Sequence, residues 1–135
     1  MSLNVINPPK SVQVVIDADN QIGEVAQVWS RPGASVLFVI QNNHGEDHTV
    51  WIDPREFIPS VRYGDGPPLP MEPDTQVVKI PGRDVAVIQL KVKGPDHFRF
   101  QETPWIAGYT YKYNIYWTDP DGTRHILDPD IEIRP

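Results

Sequence analysis

Apolar residues recur at every second position along most of this chain, the period of half-buried β-strands. Val12, Val14 and Ile16 alternate with Gln13, Val15 and Asp17. Asp17-Ala18-Asp19-Asn20 then has turn chemistry. Glu24 to Trp29 predicts a short strand, stopped by Arg31-Pro32-Gly33. Ser35 to Gln41 follows, with Val36 to Ile40 continuously apolar, as in a central strand. After the polar loop 42–47, His48, Val50 and Ile52 share one face and Thr49 and Trp51 the other. Asp84 to Lys93 alternates most regularly, with Ala86, Ile88, Leu90 and Val92 predicted inward.

Between these runs the period is lost. Residues 53–73 hold six prolines, and the stretch to about residue 75 is expected to be a long Pro-rich loop packed by Phe57, Ile58, Tyr63 and Leu69, with a helical turn near Arg55 to Phe57. Strand signals resume at Val77 to Ile80. Phe98 and Phe100 alternate with His97, Arg99 and Gln101, and Tyr109, Tyr111, Tyr113, Ile115 and Trp117 line one face of a long aromatic strand. Asp119-Pro120-Asp121-Gly122 is a hairpin turn leading into Arg124 to Leu127, and Ile131 and Ile133 are inward on a last strand. Seven to nine short strands without an amphipathic helix predict an all-β fold, a two-sheet antiparallel Greek-key β-sandwich formed by residues 1–135 as one domain. An immunoglobulin-like sandwich is the competing arrangement.

Composition narrows the chemistry. There is no cysteine, which removes disulfides, thiolate metal sites and cysteine nucleophiles. A net charge of −6 with twelve scattered Lys and Arg argues against nucleic acid as a partner. No apolar run reaches the length of a membrane span, so no membrane insertion is expected. Localisation is expected to be cytoplasmic if Met1 is the native start, and periplasmic or secreted if a leader has been trimmed. The motifs of nucleophilic hydrolases, phosphate-binding loops, dinucleotide folds and zinc proteases are all missing, so no catalytic residue is assigned.

Two stretches carry a family resemblance. Gly33-Ala34-Ser35-Val36-Leu37-Phe38-Val39-Ile40-Gln41-Asn42-Asn43 followed by His48-Thr49-Val50 resembles the glycine, apolar strand, Asn-rich loop and histidine of the cupredoxins, the blue-copper fold. Tyr111-Lys112-Tyr113-Asn114-Ile115 resembles that family's Tyr-x-Tyr-x-Cys strand, and Ile131-Glu132-Ile133 its last strand. The resemblance covers roughly residues 12–52 and 84–134. It implies a cupredoxin-like sandwich in which His48 stands at the first copper ligand and Ile115 at the thiolate, with the loop around His125 nearby. A blue-copper centre needs the thiolate, so type 1 copper is excluded and no cofactor is expected.

Two readings follow. The first is a non-catalytic binding or structural module whose His48 is hydrogen-bonded and orients the neighbouring loop; Trp105 and Tyr116 are its candidate interaction surface, for another protein or a second copy. The alternative is a divalent copper or zinc site built from His48, His44 and His125. The acids Asp119, Asp121, Asp128 and Asp130 lack calcium-loop spacing and are explained by turn chemistry.

Overall fold

A computed structural model describes residues 9–60, 66–72, 76–98 and 108–135. Eleven strands follow in order: β1 (Lys10–Ile16), β2 (Val28–Ser30), β3 (Ser35–Asn42), β4 (His48–Ile52), β5 (Ile58–Pro59), β6 (Gln76–Ile80), β7 (Val85–Lys91), β8 (Tyr109–Lys112), β9 (Ile115–Thr118), β10 (Arg124–Leu127) and β11 (Asp130–Ile133). Two short 3₁₀ turns, Pro54–Glu56 and Pro95–His97, are the only helical pieces among the described residues. Each starts on a proline, whose fixed φ suits a first helical position. The fold is an all-β sandwich, as the alternation predicts.

The strands pair into three ladders, ordered β1-β3-β7, β10-β9-β4-β6 and β2-β11-β8-β5. β8 leads into β9, and β10 into β11, with two residues between each; β9 pairs with β10 and β8 with β11, both antiparallel. The two four-stranded ladders are thus successive halves of one layer. At the joint lies Tyr113, stacked on Phe57 and edge-on to Phe38 of β3 at a centroid distance of 5.5 Å. The core runs between this layer and the β1-β3-β7 ladder, filled by Val14, Val36, Phe38, Ile40, Val50 and Ile115 among others.

Several expectations change. The sandwich is not purely antiparallel: β1 pairs parallel with β3, and β2 parallel with β11. Both pairs join segments separated by a crossover, where no hairpin imposes antiparallel direction. The strand expected over 24–29 shrinks to Val28–Ser30, because β2 is an edge strand matched over three residues of β11. The aromatic strand 109–117 keeps one buried face but breaks at Tyr113 and Asn114, where it crosses from one half-layer to the other. His97 belongs to a 3₁₀ turn rather than to a strand, and its Nε2 meets the Pro68 carbonyl at 2.8 Å. Ile88, Leu90 and Val92 are buried as predicted, with Ala86 half-buried. Tyr63, Phe100 and Trp105 lie outside the described residues.

Candidate functional site: the histidine end and an aromatic sheet face

The polar loop 42–47 is stapled by its own asparagine. Asn42 is fully buried, and its amide donates to the carbonyls of Glu46 (2.9 Å), Ile80 and Pro81 (each 3.2 Å). Its Oδ1 accepts the His44 N–H at 3.1 Å. This holds the loop against the turn 81–84, where a Cβ on Gly82 would run into the Gly45 carbonyl. Asn42 was legible only as one member of an Asn-rich run; its role depends on carbonyls 38 and 39 residues away.

His48, at the start of β4, is 1% exposed. Its Nδ1 lies 2.9 Å from the Glu46 carbonyl, and its Nε2 2.5 Å from Asn20 Oδ1. A carbonyl can only accept, so Nδ1 donates to Glu46, while Nε2 faces the Asn20 side-chain amide, whose oxygen and nitrogen exchange places by a flip. Asn20 reaches it from the turn after β1, at φ +63°, and its backbone carbonyl accepts the Trp117 indole N–H at 3.3 Å. Asp17 shapes that turn by accepting the N–H groups of Asp19 and Gln21. Sequence reasoning marked Asp17 to Asn20 as a turn and missed that Asn20 is the partner of His48.

The structure brings the three candidate histidines to one end of the sandwich, but not onto one point. His44 packs edge-on to His48 with centroids 5.0 Å apart, and its Nδ1 accepts the Glu46 N–H at 3.1 Å. His125 stacks on Trp117 at 5.2 Å, and its Nε2 meets Asp119 Oδ2 at 2.8 Å. Among the described residues no group of three or more His, Cys, Asp or Glu is arranged to hold a metal ion. Asp119 and Asp121 belong to the β9–β10 turn, where hydrogen bonds from Thr123 hold the Asp121 carboxyl below its ordinary range. Asp130 instead faces Lys112 at the far end of β10.

One correction concerns Ile115. In the β4–β9 register Val50 faces Trp117 and Trp51 faces Tyr116. Ile115 is therefore level with Ile52, roughly 13 Å along the strand from His48 at about 3.3 Å per residue. Trp117, two residues further on, is buried between Val50 and His125 in the register. The expected approach of His48 and Ile115 therefore does not occur, because alternation alone looks the same after any even shift.

Beside His48 an open cleft of about 500 Å³ has Glu46, Asp47, Thr49, Lys79, Thr118 and Asp119 among its lining residues. It is open and polar, with three carboxylates against Lys79, whose Nζ lies 3.8 Å from Asp47 Oδ2. On the outward face of the same ladder the register places Ile126, Tyr116, Trp51 and Val77 in one row across all four strands. The two ends of the row are open to solvent, Ile126 being 56% and Val77 57% exposed. At its centre Trp51 and Tyr116 stack at 5.0 Å with planes 10° apart, under the Arg124 guanidinium. The Tyr116 hydroxyl donates to Glu56 Oε2 at 2.6 Å, a bond that, with burial, raises the phenol's pKa. Tyr116 was legible as a candidate; Trp51, Ile126 and Val77 were not, because only the register aligns them.

No family model matches the sequence, and no curated protein matches it. Among solved structures the chain is similar to the crystal structure of Fet3p, a multicopper oxidase that functions in iron import, at a TM-score of 0.40 and 10% identity. That match covers 98% of this chain and 29% of the other.

Proposed function

We propose that the chain is a non-catalytic, cupredoxin-like binding module that works without type 1 copper and engages a partner through the Trp51–Tyr116 face. The observation that carries this reading is the row Ile126, Tyr116, Trp51 and Val77, a continuous aromatic and aliphatic stripe on an outward sheet face. Such a stripe with an Arg beside it has the composition of a binding hot spot. The histidine end supports the copper-free half of the reading. Both His48 nitrogens are engaged, and His125 is held by its stack on Trp117 and its bond to Asp119.

Copper and zinc titration with elemental analysis tests the metal half: no intense visible band and no stoichiometric retention after dialysis are expected. Tight copper that disappears in His48→Ala would establish the histidine metal site instead. The binding half is tested by pull-down from the native host with wild-type protein and with Trp51→Ser/Tyr116→Ser. A partner retained equally by both would place the contact elsewhere.

A further inference from the structure

β10 is the outermost strand of its ladder. Two backbone bonds fix which of its groups face inward: the Asp119 N–H donates to the Thr123 carbonyl at 2.8 Å, and the Tyr113 N–H to the Pro129 carbonyl at 3.1 Å. Between them β9 and β10 pair Trp117 with His125 and Ile115 with Leu127. In an antiparallel pair every second residue turns its N–H and C=O toward the neighbouring strand, and the residues between turn theirs away. The main-chain groups of Thr123, His125, Leu127 and Pro129 therefore face the β8–β9 run, and those of Arg124, Ile126 and Asp128 point outward. Among the described residues no hydrogen bond reaches these outward groups. All three residues are exposed, Ile126 at 56%. Sheet edges are commonly blunted by a proline, a bulge or an inward charge. Here Pro129 comes directly after the open stretch, whose centre is an isoleucine.

The edge is complementary to itself. A second β10 laid antiparallel across a two-fold axis at Ile126 sets Arg124 opposite Asp128 of the second copy, and Asp128 opposite its Arg124. A shift of two residues either way puts Ile126 against one of those charges instead. Neither charge is neutralised within the molecule: among the described residues neither Arg124 nor Asp128 makes a salt bridge. Arg124 Cζ lies 5.5 Å from the Trp51 ring centroid and 5.9 Å from that of Tyr116. A guanidinium resting on rings keeps its N–H donors at the rim, open to a carboxylate.

We propose that the chain forms a two-fold symmetric dimer through β10, with Ile126 opposite Ile126 of the second copy and Arg124 paired with its Asp128. Two four-stranded ladders then join into one, and the row Val77, Trp51, Tyr116 and Ile126 continues into the same row of the second copy. Main-chain bonds along the edge supply affinity, and the cross-strand charge pairs set the register. The contact is isologous, so it closes at two chains. It uses the strand edge and stands whether or not the Trp51–Tyr116 face binds a partner.

Sedimentation velocity over a concentration series tests the proposal, and a monomer–dimer equilibrium without larger species is expected. Ile126→Pro removes an N–H that points outward, leaves the β9–β10 bonds in place and should abolish the dimer. Arg124→Asp and Asp128→Arg each set like charges opposite one another at both symmetry-related positions, and each should weaken self-association roughly tenfold. An equimolar mixture of the two should dimerise as wild type does, because every facing pair is then opposite in charge. The double variant Arg124→Asp/Asp128→Arg should do so alone. Circular dichroism checks that each variant is folded, and the charge series decides the matter if Ile126→Pro is not. Trp51→Ser/Tyr116→Ser should keep the dimer while losing a partner held at the sheet face, which separates the two readings. Wild-type protein that stays monomeric at every concentration overturns the proposal. So does a dimer that folded Ile126→Pro retains, a mixture that fails to recover association, or a mass that grows beyond two chains.

Discussion

Asn20 joins two parts of the molecule through one side chain and one carbonyl. Its φ of +63° suits asparagine, which visits the left-handed region more readily than most residues. Its amide faces the buried His48 ring, and its carbonyl faces the Trp117 indole. Asn20→Gly keeps the backbone conformation and removes only the amide, leaving His48 Nε2 without its partner. Chemical denaturation should show a loss of about 1–3 kcal/mol. Asn20→Ala should lose roughly 1–2 kcal/mol more, because a Cβ is disfavoured at positive φ. A fully stable Asn20→Gly protein would mean that the His48 bond contributes nothing.

At the scale of elements, β7 decides the sandwich because it is the second partner of the central strand β3. Its register sets Leu90 opposite Val36 and Gln89 opposite Leu37. Leu90 is 3% exposed and Gln89 is open to solvent, donating to Ser35 Oγ at 3.1 Å. Leu90→Ala should therefore cost about 2–5 kcal/mol. Gln89→Ala should stay within roughly 0.5 kcal/mol of wild type, as exposed substitutions usually do. Equal effects in thermal or urea unfolding would mean that the strand is shifted by one residue.

Three tyrosines link the whole molecule's stability to pH on the alkaline side. Burial pushes the Tyr111 and Tyr113 phenols well above the ordinary tyrosine range, and the bond to Glu56 raises Tyr116. The folded state thus holds protons that the unfolded chain releases near pH 10. These groups leave stability unchanged below that pH, and stability falls as the pH rises beyond it. Urea midpoints measured from pH 8 to 11 should be flat and then decline. Absorbance titration should show a late phenolate fraction, part of which moves to lower pH in Glu56→Gln.

The sequence by itself determined the class of fold and most of the core. Alternation is a local signal, and it assigned the inward faces of β1, β4, β7 and β11 without any knowledge of partners, while β3 was legible as a central strand from its continuous apolar run. It also excluded a thiolate copper centre, since composition needs no geometry. Register, direction and neighbourhood were decided by the tertiary structure. A period of two cannot distinguish a strand from the same strand shifted by an even number of residues, so the sequence brought Ile115 to His48 where the fold sets it level with Ile52. Nor can it tell parallel from antiparallel partners, which is why β1 and β2 differ from expectation. Asn20 and His48 are 28 residues apart, and Lys10 and Arg134 lie near opposite ends of the described chain. Only chain folding could place the first pair in hydrogen-bond contact and the second on the indole of Trp29.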